Sequence, residues 1–195
     1  MMQLTRKQGI SGLLFSLMIV LIIGCNQKKE DPAMSGQGEV STQEQTTTAS
    51  TGLDIGKQAP DFSMTDSEGQ TFTLSSLKGN VVMIDFWATW CPPCVRSIPE
   101  VKKLWTEHKG KKFQVLGVSL DKDLEVWKSY IKENNMTWKQ VADGQFWDNK
   151  AALAFGIASI PSVWILDKEG KIVIKDANPL SDDDLIKETI TKLLQ

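Results

Sequence analysis

Hydrophobic residues are spaced along the chain in a way that predicts strands alternating with helices. Residues 81–87 are apolar apart from Asp85, and such a continuous run predicts a strand buried on both faces, as in a parallel sheet. Beyond it, apolar residues recur at helical spacing from Val95 until Gly110, a natural helix stop. A second apolar run over 113–120 predicts the next strand. Together these elements predict the centre of an α/β domain.

Weaker patterns on either side complete the predicted fold. Alternating apolar and polar residues around Phe62 and Phe72 predict a hairpin whose turn spans 66–70. A last helix is expected to begin with Ser181 as its N-cap, because three aspartates follow this residue. Between these ends the pattern predicts a helix over 124–134, a short strand over 138–141, a short helix over 151–155, and paired strands over 163–166 and 171–174.

A pair of cysteines, Cys91 and Cys94, lies where the first buried strand turns into its helix. Two thiols at this spacing can close a small disulfide ring. The free N–H groups and the dipole of a helix N-terminus favour the thiolate, which is the form that attacks a disulfide. A purely structural disulfide is the alternative, but a ring this small constrains little of the chain. We therefore interpret the pair as redox-active.

The first 25 residues have the pattern of an export signal. Arg6 and Lys7 give it a positive start, and the mostly apolar stretch 10–23 is too short for a comfortable transmembrane helix, which needs about 20 residues. The end of this stretch, with Gly24 before Cys25, resembles the lipobox of bacterial lipoproteins. That resemblance implies a signal peptide over 1–24 and a diacylglycerol on the Cys25 thiol; the alternative is an uncleaved anchor with an incidental cysteine.

The segment after Cys25 is expected to be a disordered tether up to residue 52. It is polar and has no apolar periodicity, so it cannot bury enough surface to offset the entropy of ordering. The folded domain is then expected over 53–195. Two or more acyl chains would anchor it stably, on the extracytoplasmic face of a membrane.

Composition narrows the possible functions. The 195 residues are 41% hydrophobic and 24% charged, with a net charge of −2, which becomes −4 without residues 1–24. No long cluster of lysine and arginine suggests nucleic-acid binding. A zinc site needs about four ligands, whereas the chain has only three cysteines and one histidine, His108. We therefore expect no metal and no cofactor beyond the redox-active disulfide itself.

The residues around the cysteine pair resemble those of a known family. The stretch 85–94, with Pro99 after it, resembles thioredoxin, and FWATWCPPC at 86–94 resembles the TlpA/ResA branch of thioredoxin-like proteins. The resemblance covers roughly residue 56 to the C-terminus. It implies a thioredoxin-like α/β fold with a central mixed sheet flanked by helices, an N-terminal β-hairpin and an insertion after the second core strand.

The same resemblance implies roles for individual residues. Cys91 would be the exposed nucleophile, and Cys94 would resolve the mixed disulfide. Pro161 would be a cis-proline facing the cysteines, which leaves the N–H and carbonyl of Ile160 free to pair with a substrate strand. Trp90 beside the pair could shield the disulfide.

Asp85 is the acidic residue implied in catalysis. In thioredoxin this position is thought to accept or relay the proton of the second cysteine; the plainer alternative is a carboxylate bonded to water or a backbone N–H. Burial should raise its pKa, and no lysine of 113–120 is available to pair with it. The acidic residue that often lies three positions after the second cysteine in this branch is Ser97 here, with Glu100 a turn later.

The resemblance implies a thiol-disulfide oxidoreductase that reduces disulfides of envelope proteins, including one that yields the haem-site thiols of apocytochrome c. Its electron donor would be a membrane thiol carrier of the DsbD/CcdA kind, and a monomer is expected. The alternatives are a disulfide-forming oxidant, a thiol peroxidase and a metal chaperone. Peroxiredoxins place a threonine three residues before the reactive cysteine, whereas Thr89 is two residues before Cys91. Copper chaperones of this fold use a wider cysteine spacing and a histidine.

Overall fold

A computed structural model describes residues 52–195 of the chain. The predicted signal peptide, the lipidation site Cys25 and almost all of the predicted tether lie outside these residues. Within the described part, no helix is both long enough and apolar enough to cross a membrane.

The described residues form a five-stranded mixed sheet with helices and a separate two-stranded hairpin. The hairpin consists of β1 (Ser63–Thr65) and β2 (Thr71–Thr73), followed by a 3₁₀ turn at Leu74–Leu77. The sheet has the order β5-β4-β3-β6-β7. Its strands are β3 (Val81–Trp87), β4 (Phe113–Ser119), β5 (Lys139–Ala142), β6 (Ser162–Leu166) and β7 (Ile172–Ala177). The helices are α1 (Pro92–His108), α2 (Leu124–Glu133), α3 (Lys150–Ala154) and α4 (Asp183–Leu193).

The central strand is β3, as its unbroken apolar pattern predicts. All seven of its residues are buried. It pairs in parallel with β4 and antiparallel with β6, so the sheet is mixed. These observations confirm the predicted fold class, with the hairpin before the sheet and an inserted segment after β4.

An aromatic cluster anchors the chain on one side of this sheet. Phe155 is 1% exposed, and its ring packs against Phe62, Phe86 and Trp164 with centroid distances of 6.1, 5.6 and 5.0 Å. Because Phe155 lies just before β6, this packing fixes the start of the loop that enters that strand.

The segment before β3 reaches both edge strands of the sheet. On the β7 side, Gln58 forms a bridge with Lys171. On the β5 side, Asp66 forms a bridge with Val141, and its carboxylate accepts a 2.8 Å hydrogen bond from Lys139. The hairpin is thereby attached to the sheet at the strand farthest from β7.

The predicted N-cap of the last helix is wrong. The helix starts at Asp183, and the preceding Asp182 makes no capping hydrogen bond with its side chain. The backbone N–H groups of Ser181 and Asp182 both donate to the Asn178 carbonyl, while the Asp182 carboxylate accepts from the Asn178 N–H. Ser181 is therefore held in a turn before the helix.

Candidate active site

The cysteine pair forms a disulfide at the start of α1. The Cys91 and Cys94 Cα atoms are 5.3 Å apart. Cys91 is the N-cap residue, and the Cys94 N–H donates to its Sγ at 3.2 Å. Pro92 and Pro93 occupy the first helical positions, where a missing N–H costs nothing. When the disulfide is reduced, this amide and the helix N-terminus favour a thiolate at Cys91.

The expected exposure of Cys91 is wrong. The residue is only 4% exposed, although Cys94 is more deeply buried at 1%. The loop that leads into β6 covers the sulfur, because the Ile160 carbonyl oxygen lies 3.7 Å from Cys91 Sγ. Another sulfur can therefore approach Cys91 only through the small part of its surface that remains exposed.

The loop beside the disulfide has the form that the resemblance implied. The Ile160–Pro161 peptide bond is cis. Within residues 52–195, neither the N–H nor the carbonyl of Ile160 makes a backbone hydrogen bond. Ala158 and Ser159 before it are exposed. This loop can therefore offer main-chain donors and acceptors next to the reactive sulfur.

Asp85 is buried in the centre of β3. Its exposed fraction is 2%, and its Oδ1 atom has no hydrogen-bond partner in the described part of the chain. Its neighbours across the sheet are Gly117 on β4 and Val163 on β6, neither of which carries a charge. Burial therefore raises the pKa of Asp85 to about 7, as expected from its place in an apolar strand.

The residues that follow Cys94 provide no second carboxyl at the disulfide. The Ser97 hydroxyl is buried and donates to the Cys94 carbonyl at 2.8 Å. Glu100 instead pairs with Lys187 of α4 at 3.4 Å. Asp85, and not Glu100, is thus the candidate proton acceptor among the acidic residues that the sequence analysis singled out.

A buried carboxylate that the sequence interpretation missed supports the loop before Cys91. Asp121 accepts hydrogen bonds from the Thr89 N–H at 3.0 Å and from the Thr89 hydroxyl at 2.6 Å. The Ser119 hydroxyl donates to the same carboxylate at 2.6 Å. A signal for it exists in the sequence, because Ser119 and Asp121 are polar residues at the carboxyl end of a buried strand, where parallel-sheet proteins place their sites.

Trp90 is exposed, as a residue beside the disulfide would be if it met substrates. Its exposed fraction is 43%, and its ring packs against Phe146 at 5.0 Å and Trp147 at 6.2 Å. The sequence analysis identified neither Phe146 nor Trp147 as a residue of the site. Trp87, by contrast, is buried, and its indole N–H donates to Gln140 at 3.1 Å.

No group of three or more histidine, cysteine, aspartate or glutamate side chains in residues 52–195 is arranged to hold a metal ion. The groups described above in this part of the chain are two sulfurs, a buried carboxyl and a main-chain loop.

Comparisons with known proteins agree with this chemistry. The AhpC/TSA family model matches residues 55–175. The chain is 31% identical over 123 residues to thiol-disulfide oxidoreductase ResA of Bacillus cereus. The matched region covers 63% of this chain and 69% of that protein. It is 27% identical over 118 residues to ResA of Bacillus subtilis, covering 60% and 64% of the two chains.

Solved structures give the same result. The thioredoxin domain of a thiol-disulfide oxidoreductase from Bacteroides vulgatus has 31% identity and a TM-score of 0.65, over 74% of this chain and 100% of that one. A thiol-disulfide oxidoreductase from Bacteroides fragilis has 32% identity and a TM-score of 0.62, over 68% and 99%. The chain thus belongs to the thioredoxin-like AhpC/TSA family and is a thiol-disulfide oxidoreductase related to ResA.

Proposed function

We propose that this protein is a membrane-tethered reductant of disulfides in extracytoplasmic proteins and that Cys91 and Cys94 carry the reaction. The observation that carries the proposal is the position of Cys91. It caps α1, receives the Cys94 N–H at 3.2 Å and lies beside Ile160, whose main chain makes no backbone hydrogen bond within residues 52–195. A substrate strand can bond to that main chain while its sulfur approaches Cys91.

The reaction is a two-step exchange. The Cys91 thiolate attacks one sulfur of a substrate disulfide, so that a Cys91–substrate disulfide forms and the second substrate sulfur leaves as a thiolate. Cys94 then loses its proton and attacks Cys91 Sγ, which releases the first substrate sulfur. Two electrons pass to the substrate, and the Cys91–Cys94 disulfide remains. A membrane dithiol carrier of the DsbD/CcdA kind would reduce this disulfide again.

Asp85 is proposed to accept the proton of Cys94. A carboxyl with a pKa of about 7 exists in both protonation states near neutral pH, which suits a group that takes up a proton and later returns it. Ile160, Pro161 and Trp90 are proposed to contact the substrate. No further cofactor enters this mechanism, and the protein is proposed to act as a monomer.

The cellular setting of the proposal follows from the N-terminal sequence. A lipid on Cys25 and a polar tether would hold the domain at the extracytoplasmic face of a membrane, close to a membrane electron donor. The disulfide that yields the haem-site thiols of apocytochrome c is a candidate substrate there. Intact-mass measurement of the membrane form tests the anchor, and a mass equal to the uncleaved, unmodified chain would contradict it.

Two related activities are distinguished by specific observations. A disulfide-forming oxidant would use the same residues, so the reduction potential of the pair decides the direction. A value near that of thioredoxin, about −270 mV, supports a reductant, whereas a value near −120 mV would make the protein a disulfide donor. A peroxidase is disfavoured by Thr89, because its hydroxyl is committed to Asp121 at 2.6 Å.

The proposed exchange is tested by trapping. In a Cys94→Ser variant the second step cannot occur, so substrates should remain bound to Cys91 through a disulfide that reducing agents release. The matched control is the Cys91→Ser variant, which should trap far less because the nucleophile is missing. The same result for both variants in cells would contradict the assigned roles.

A further inference from the structure

The surface next to the disulfide contains three aromatic rings in mutual contact. Trp90, Phe146 and Trp147 form an aromatic platform, with centroid distances of 5.0 Å between the first two, 6.2 Å between Trp90 and Trp147, and 5.8 Å between Phe146 and Trp147. Trp90 is 43% exposed, and the other two residues are half-buried. Exposed aromatic residues in a cluster are more informative than single ones, because soluble proteins usually cover such surface.

The backbone at the centre of this platform is strained. Phe146 has a φ of 57°, in the left-handed region that bulky residues rarely adopt. Such conformations persist when the surrounding structure imposes them, and they concentrate at functional sites. The surrounding structure must therefore hold Phe146 in this conformation, and the conformation points to a functional role for the segment.

Hydrogen bonds made by Asp143 and Asn149 supply the support. The Asp143 carboxylate accepts from the N–H groups of Gln145 and Lys150 and from the Asn149 side chain, at 3.0 to 3.1 Å. Asn149 is fully buried and also donates to the Ser119 carbonyl at the end of β4. The segment that carries Phe146 and Trp147 is thus fixed at both ends.

The backbone that carries Trp90, the third aromatic residue of the platform, is also fixed. Thr89, the residue before Trp90, is bound to Asp121 through both its N–H and its hydroxyl. Lys122 places its ammonium 4.7 Å from the centroid of the Phe146 ring, within range of a cation–π interaction. The platform is therefore preorganised, which lowers the entropy lost when a ligand binds.

The chemistry of exchange determines what meets this surface. A substrate sulfur must come within bonding distance of Cys91 Sγ. Residues one or two positions from the substrate cysteine then lie within about 4 to 7 Å along its chain. Trp90 directly precedes Cys91, so a side chain adjacent to the reacting cysteine can reach the platform. A side chain of the substrate itself is therefore the group that exchange at Cys91 brings to this surface.

We propose that the aromatic platform of Trp90, Phe146 and Trp147 selects polypeptide substrates that carry an aromatic side chain next to the reacting cysteine. This inference rests on the proposed exchange through Cys91. It adds a specificity determinant that comes from the segment between β5 and α3, outside the cysteine motif.

The test uses the reduced full-length protein and three short peptides. Each peptide has one cysteine as its mixed disulfide with thionitrobenzoate; tryptophan precedes the cysteine in one, follows it in the second, and serine flanks it on both sides in the third. The Cys91 thiolate attacks the peptide sulfur, and thionitrobenzoate leaves as a coloured thiolate, because low-pKa thiols are the better leaving groups. The rate of colour release gives the second-order rate constant.

At least one tryptophan peptide should react roughly 3- to 10-fold faster than the serine peptide, as expected for one aromatic contact. In a Phe146→Asn variant this ratio should fall towards one. Asparagine is chosen because it tolerates a positive φ, so the ring is removed without added backbone strain. The matched control is Leu185→Asn on α4, where a large apolar residue is 54% exposed outside the platform; this variant should keep the wild-type ratio.

The outcomes separate the two proposals. If the wild-type protein reacts with all three peptides at equal rates, or if Phe146→Asn keeps the preference, the platform proposal is overturned while the exchange reaction stands. If the wild-type protein releases no thionitrobenzoate from any peptide, the proposed exchange fails, and the platform proposal fails with it. The wild-type comparison decides the question even if the Phe146→Asn protein does not fold.

Discussion

Replacing Asp85 with asparagine should stabilise the protein above neutral pH. The folded state raises the pKa of this carboxyl to about 7, from 3.8 in an unperturbed chain. Between these two values the folded protein holds a proton that the unfolded chain has released. Its stability therefore falls as the pH rises from about 4 to about 7 and is constant with respect to this group above that range.

The size of the effect follows from the shift. A displacement of roughly 3 pKa units, at 1.36 kcal/mol per unit, corresponds to a cost on the order of 4 kcal/mol at alkaline pH. The buried Oδ1 atom has no hydrogen-bond partner within residues 52–195 that would reduce this cost. Asparagine has nearly the same shape and does not ionise, so Asp85→Asn removes the cost while leaving the packing around β3 in place.

The assay is urea unfolding of the oxidised protein from about pH 4 to about pH 9, followed by tryptophan fluorescence. The wild-type and Asp85→Asn proteins should be similar in stability near pH 4, and the variant should gain on the wild type as the pH rises. Parallel pH profiles for the two proteins would refute the reasoning, since they would mean that Asp85 does not titrate with a raised pKa.

Asp66 provides a control of opposite sign. Burial alone would raise its pKa, but hydrogen bonds from Lys139, Gln70 and Glu68 outweigh this and hold the pKa below its usual value. Such a carboxyl stabilises the fold above the pKa of the unfolded chain, and the benefit is lost as the pH falls through the folded-state pKa. Asp66→Asn should therefore destabilise the protein at neutral pH, where Asp85→Asn stabilises it.

Two further substitutions test the supports of the site. A Cβ at Gly117 would collide with the Gln140 side-chain amide. Gly117→Ala should therefore break the hydrogen bond between Gln140 and the buried Trp87 indole N–H and cost about 1 to 3 kcal/mol of unfolding free energy. Unchanged stability would show that Gln140 can move without loss of unfolding free energy. Asp121→Ala should cost about 2 to 3 kcal/mol of unfolding free energy and slow thiol exchange, because the N–H and the hydroxyl of Thr89 both lose their acceptor. Wild-type exchange kinetics in a folded variant would contradict a positioning role for this carboxylate.

The sequence predicts the fold best where one pattern dominates. The unbroken apolar run of β3 indicates its burial, and the cysteine spacing after it locates the start of α1. The burial of Asp85 and the direction of its pKa follow directly from its place in that run. These features depend on neighbours in the sequence, which is why a single chain is enough to predict them.

Features that depend on distant contacts could not be predicted in this way. Cys91 is covered because a loop some 70 residues later lies against it. Ser181 has the composition of an N-cap, but the Asn178 carbonyl fixes it in a turn. Phe146 and Trp147 reach Trp90 only because Asp143 and Asn149 hold their segment at the end of β4. The spacing of residues within a short stretch of sequence does not indicate such contacts.

The segment before β3 has a consequence for solubility. An edge strand with free N–H and carbonyl groups can pair with another chain, and proteins avoid this by covering it. Here Gln58 bridges Lys171 at the start of β7, and Asp66 with its neighbour Ser67 bonds to Val141 and Gln140 on the outer side of β5. One short stretch of chain thus covers part of both edge strands and hinders their pairing with another copy of the protein, although it contributes no strand to the sheet itself.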